Sequence, residues 1–243
     1  MYRTCKSYSD QSLCVSELAD ASSALMKRLG YSAPDARTVA LDNLVGLSRS
    51  AQMILNLLDS WVKGDEGVRQ AIPQLLGLTT VTVAGVKSAG DMLNKSSRLG
   101  FTVLAQFQIE NLFRNMAREL GLPTGGTGFF RTARSVLDAL HLPGDRMDIL
   151  NTAARIRNSL HSNGIHHRQH QAESSSYAIR GVTYQFSDGA PVTCAGWEHL
   201  AHAFEASVGV IEEVCLSGAV QAISDPMMDQ YAWEQETQPV PAS

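Results

Sequence analysis

At 243 residues and 26.3 kDa the chain is long enough to bury a full core, either as one large helical domain or as a small helical unit joined to a second domain. Its 44% hydrophobic and 18% charged residues exclude a fibrous or wholly disordered chain. A net charge of −4 with a pI near 6.0 excludes a protein that coats nucleic acid through a basic surface, so any contact with a polyanion must be local.

Cys5, Cys14, Cys194 and Cys215 form no C-x-x-C pair, which argues against a disulfide framework or structural zinc and for a reducing compartment. Residues 1–12 lack the apolar run of a signal peptide. The most apolar stretch, 75–86, is too short and too rich in Thr and Gly to span a bilayer. The expectation is a cytoplasmic protein with no membrane segment.

In chain order, a helix is expected over 12–29, stopping at Gly30 with Pro34 beyond it. Over 41–62, Leu44, Leu47, Ala51, Ile54, Leu58 and Trp61 recur every three or four residues, a single helical stripe. Between 64 and 94 the helical signal is weak, because Gly77, Gly85, Gly90 and a Thr/Val run lower helix propensity. A stronger helix over 97–120 has Ile109, Leu112, Phe113, Met116 and Leu120 on its apolar face, opposed by Glu110, Asn111, Arg114 and Arg118. The glycines at 125, 126 and 128 read as a helix connection, since no Gly-Lys-Ser/Thr follows to make a phosphate loop.

A helix over 129–140 and another over 145–162 come next, the second with Ile149, Ala153, Ile156 and Leu160 inward and Asn163-Gly164 as its terminator. The polar tract 166–176 reads as a loop, and 177–186, with Gly181 at its middle, as a small hairpin. A last helix spans 196–220. There Glu198, His199 and His202 lack the H-E-x-x-H order of a zinc helix, and Trp197, Phe204 and Trp61 are expected in the core. The fold class is thus all-α: an N-terminal helical unit over 1–95, a bundle of about four helices over 96–224 carrying the hairpin, and a frayed tail from 225 to 243.

The chemistry concentrates at 155–170. Arg157 and His161, four apart on a helix, lie about 40° from each other around its axis. Arg155 lies about 160° from Arg157 and about 120° from His161, at the rim of the same cleft or in water. A histidine in a last helical turn is suited to general acid–base work, and a guanidinium beside it to holding a phosphate with two parallel hydrogen bonds. No acidic residue intervenes between Asp148 and Glu173, a span with three arginines and four histidines, so this part of an acidic protein should attract a polyanion. Dipole and capping preferences alone also account for Arg and His at a helix end. His166, His167 and His170 lack carboxylate or cysteine partners at ligand spacing, so neither a metal nor a cofactor is expected.

The run Ala154-Arg155-Ile156-Arg157-Asn158-Ser159-Leu160-His161-Ser162-Asn163-Gly164 resembles the signature of the HEPN superfamily (higher eukaryotes and prokaryotes nucleotide-binding), an arginine, often with a following polar residue, then four to six residues to a histidine. Arg155 to His161 leaves five between. Arg157-Asn158 supplies the usual pair but leaves three, so both arginines stay candidates. The resemblance covers roughly 97–222 and implies a metal-independent endoribonuclease, often a toxin or anti-phage effector, that acts on single-stranded RNA as a homodimer packed through the motif helix. It further implies catalytic roles for Arg157, His161, Asn158 and Arg155, with Asn163, His166, His167 and Arg168 as candidate substrate contacts and a regulatory protein as a further partner. The alternative is a catalytically inactive member of that kind, a nucleotide-binding or protein-interaction module; an unrelated helical scaffold is the third reading.

Overall fold

Residues 5–75, 77, 82–124, 128–162, 164–166 and 174–229 are described by the computed structural model. Among them the chain forms α1 (Tyr8–Leu29), α2 (Ala36–Lys63), α3 (Glu66–Leu75), α4 (Val83–Glu119), α5 (Phe129–Ala139), α6 (Asp145–His161), β1 (Ser175–Ile179), β2 (Val182–Phe186), α7 (Trp197–Cys215) and α8 (Gly218–Gln221). The fold is all-α with one small antiparallel hairpin, as the sequence predicts.

Local chemistry sets most boundaries. Ser7 caps α1 by accepting from the Asp10 amide, and the Asp10 carboxylate accepts in return from the Ser7 amide, so two donors without helical partners are satisfied at once. Gly30 ends α1 at φ +66°, a conformation that glycine adopts without penalty. In the hairpin, Ile179 pairs with Val182 across the two-residue turn Arg180-Gly181, both at positive φ as the right-handed strand twist demands. Strand β2 buries Val182, Tyr184 and Phe186 and exposes Thr183 and Gln185, the alternation of a strand with one covered face.

Most of the helices share a main core, and Leu58 and Trp61 form a smaller second cluster with Val68 of α3 and Ala89 and Leu93 of α4. α1 packs on α2 and α7, α2 on α4, α4 on α5 and α6, and α6 on α7. Val15, Leu18, Leu41, Leu44, Leu55, Phe113, Met116, Val136, Leu150, Ile156, Phe204 and Ile211 belong to a single buried cluster. Along α2 the most buried line is Leu41, Leu44, Ser48, Ala51, Leu55 and Leu58, while Leu47 and Ile54 are half-buried at its edge. Trp61, Trp197 and Phe204 are buried as expected.

Three expectations need correction. The boundary near 95 falls inside α4, whose flanks both contribute to the structure's packing: Gly90 lies against Trp61, and Asn94 accepts a 2.8 Å bond from the Trp197 indole. At Gly90 packing against Trp61 and Leu58 offsets the low helix propensity of glycine. The expected last helix over 196–220 breaks after Cys215, and Ser217, whose hydroxyl donates back to the Val214 carbonyl, precedes the separate α8. The start of the tail is not frayed. Met227 is buried, its amide donates to Asp35 at 2.7 Å, its carbonyl accepts from Ala36, and Asp229 accepts from Asn111 at 2.8 Å and Asn115 at 3.3 Å. Asn111 therefore faces inward and not, as its place on the helical wheel suggests, toward water. No helix among the described residues is long and apolar enough to cross a membrane.

Candidate functional site

Helix α6 positions the residues of the motif. Its first turn carries Asp145 and Asp148 at the positive end of the helix dipole. Arg146 ties that turn to α7 through two bonds to Glu213, at 2.7 and 3.0 Å. Thr152, Ala153, Ala154, Ile156 and Ser159 are buried, and the small ones among them allow close approach of the helices that α6 touches. What remains of the last two turns points three ways.

Arg157 turns toward α4. Its Nη2 donates to Glu110 Oε1 at 2.5 Å, and Gln106 donates to the same oxygen at 3.3 Å. The pair is half-buried, with side-chain exposures of 28% for Arg157 and 15% for Glu110, and among the described residues the buried Arg157 Nε has no hydrogen-bond partner. Asn158 and His161 point into solvent. His161 follows Arg157 by one turn, so an exposed imidazole stands at the helix end one turn after an arginine whose guanidinium Glu110 holds.

Arg155 turns the other way, toward the hairpin. Its Nη1 donates to Ser175 Oγ at 2.9 Å and lies 3.5 Å from His166 Nε2, and its Cζ sits 5.3 Å from the centre of the Tyr177 ring. Tyr177 is itself oriented by a bond from Asn151 at 3.1 Å. Among the described residues no carboxylate pairs with Arg155, so its charge rests on hydroxyl, imidazole and aromatic faces alone.

The chain beyond α6 explains how His166 joins this group. Gly164, at φ +81°, donates to the Ser159 carbonyl at 2.8 Å and reverses the chain. Ile165 then bridges Pro191, and His166 exchanges backbone bonds with Gly189 and Ala190. His166 is consequently only 4% exposed, its ring 5.3 Å from Phe186. His166 thus lies outside helix and strand, as expected, but its side chain is packed under the hairpin and not solvated. Ser159 Oγ donates to the Arg155 carbonyl, which leaves its lone pairs to accept from His166 Nδ1 at 3.2 Å and turns Nε2 toward the guanidinium. Asn163, His167, Arg168 and His170 lie outside the described residues.

The predicted set is thus divided. Arg157, Asn158 and His161 share the open end of α6, while Arg155 and His166 form a second group under the hairpin. Sequence reasoning missed Glu110, which it assigned to a solvated face of α4, together with Ser159, Ser175 and Tyr177. A signal for Glu110 did exist: with no acidic residue between Asp148 and Glu173, a counter-charge for the arginines had to come from another element. Nothing local named which one. Among the described residues no three His, Cys, Asp or Glu side chains are grouped so as to hold a metal ion.

No family model, no curated protein and no solved structure matches the chain.

Proposed function

We propose that the chain is a metal-independent endoribonuclease of the HEPN type, with the open end of α6 as its catalytic surface and single-stranded RNA as its substrate. The observation that carries this reading is that Asn158 stands exposed next to, and His161 exposed one turn after, an arginine held in place by Glu110. In the proposed reaction His161 takes the proton of a ribose 2′-hydroxyl, which attacks the neighbouring phosphate. Arg157 donates from its remaining Nη hydrogens to the phosphoryl oxygens as charge develops, and Asn158 orients the phosphate. The 5′-oxygen leaves, giving a 2′,3′-cyclic phosphate and a 5′-hydroxyl, and DNA, without the 2′-hydroxyl, resists.

One protomer presents one His161, and a two-fold axis through the motif helix would bring a second acid–base and a second guanidinium to the same cleft. The proposal therefore includes a homodimer, acting in the cytoplasm as a toxin or defence effector under the restraint of a protein partner. Arg155 lies outside this cleft and serves to hold the hairpin and the chain after Gly164 against α6.

A second reading has its own support. Arg157 is already matched by Glu110, and Arg155 is bound into the hairpin, so both guanidinium groups have work in the folded chain. That favours a catalytically inactive nucleotide-binding or protein-interaction module. Incubating the protein with single-stranded RNA in chelator, beside His161→Ala, separates the two. The first reading expects cleavage that His161→Ala lowers by about 10²–10⁴-fold. RNA binding without cleavage supports the second, and cleavage that is equal in both proteins rules out His161 as the catalyst.

A further inference from the structure

Two of the four thiols stand together at the start of α1, far along the chain from the motif of α6. Cys5 is half-exposed and lies two residues ahead of the Ser7 cap; Cys14 is 8% exposed on the buried face of the helix. Their sulfur atoms are 3.1 Å apart. That separation is about 1 Å longer than a disulfide bond and is bridged by small side-chain rotations. The backbone leading to Cys5 is held for it: the Asp10 carboxylate accepts from the amides of both Lys6 and Ser7 at 3.1 Å, which folds the segment ahead of the cap back along the helix. Cys194 and Cys215 are both buried, at 4% and 0% exposure.

We propose that Cys5 and Cys14 are a modification site, closing to a reversible disulfide at the expense of a small-molecule disulfide of the glutathione type. The more exposed Cys5 loses its proton and attacks one sulfur of the oxidant, forming a mixed disulfide and releasing one small thiol. Cys14 then loses its proton, attacks the Cys5 sulfur and expels the second. Two protein thiols are oxidised, one small disulfide is reduced to two thiols, and the two protons pass to those leaving groups. Burial, the adjoining Cys14 and the Glu198 and Asp10 carboxylates all push the Cys5 thiol upward, so the exchange is slow at neutral pH and the fold expresses itself in the equilibrium. Closed, the bond ties the chain ahead of α1 to the helix that packs on both α2 and α7.

The test uses the full chain, equilibrated in mixtures of oxidised and reduced glutathione, then acid-quenched, alkylated and digested with trypsin without reduction. Trypsin cuts after Lys6, between the two cysteines, so the linked form yields residues 4–6 joined to residues 7–27. The expected result is that cross-linked pair, removed by reductant and absent from Cys5→Ser. Its formation constant against glutathione should be at least about tenfold larger in the folded chain than in concentrated urea, where only the nine-position separation helps. Equal constants in the two conditions would overturn the proposal. So would a persistent glutathione adduct on Cys5, or a bond from Cys5 to Cys194 or Cys215.

Discussion

Two arginine–carboxylate pairs in this protein have the same chemistry and opposite surroundings. Arg37 and Asp35 are both fully buried; Nε and Nη2 of Arg37 grip the two carboxylate oxygens at 2.8 and 2.6 Å, and Nη1 donates to the Val220 carbonyl at 3.1 Å. Asp35 also caps α2 and receives the Met227 amide, so this pair fastens the chain around 220–227 beneath the second helix. Arg157 and Glu110 share one short bond and keep partial exposure, and among the described residues the buried Arg157 Nε meets no partner. A saturated, sealed pair is architecture; a partly exposed pair one turn from an exposed imidazole keeps part of its guanidinium within reach of solvent.

The comparison breaks first on stability. Arg37→Met strands a fully buried carboxylate and should cost about 3–5 kcal/mol, whereas Arg157→Met, beside a carboxylate that keeps some exposure, should cost about 1–2 kcal/mol. Urea unfolding of both variants measures this, and comparable losses would mean that the two pairs do not differ in kind.

Acid sharpens the same contrast at another sealed group. His202 is 8% exposed and shares a 2.8 Å bond with the Tyr184 hydroxyl; burial, with the Arg180 charge adding to it, lowers its pKa to about 4. An unfolded chain would protonate it near 6.5, so its contribution is complete above that pH, declines as pH falls and is gone below about 4. The loss should reach about 3 kcal/mol, on the order of 1.4 kcal/mol for each pH unit of the window. Unfolding free energies at pH 7.5 and 4.5 should therefore differ more for the native chain than for His202→Asn, and equal differences would remove His202 from the account.

The smallest effect probes the open pair directly. Glu110→Gln should leave stability within about 1 kcal/mol yet add one positive charge to the proposed RNA surface. Binding of single-stranded RNA should then depend more steeply on salt, by about 0.7 in the log–log slope. An unchanged slope would separate Arg157 from the RNA.

Much of the fold was legible because helix ends are written in a few residues. Gly30 and Gly164 at positive φ, and Gly181 in the turn of the hairpin, mark their places whatever packs nearby. The α6 boundaries and its inward Ala153 and Ile156 follow from local spacing in the same way. The candidate site was only half legible. That Arg157 and His161 share a face follows from the helical repeat, but the repeat is silent on which neighbour fills that face, and so Glu110 went unseen. His166, in a run of polar residues, looked solvated until the backbone pairing of 164–166 with 189–192 drew it under Phe186.

The amino-acid order by itself determined that this chain is helical, where most of its helices stop, and that one helix end concentrates arginine and histidine, since these depend on forces acting within a few residues. Only the tertiary structure decided that Arg155 meets the hairpin while Arg157 meets Glu110, that the main core joins α1 and α2 to the helices after residue 95, and that residues 225–229 are docked. Those outcomes depend on burial of polar groups brought together across the chain, where each charge taken from water must find a partner wherever the packing supplies one.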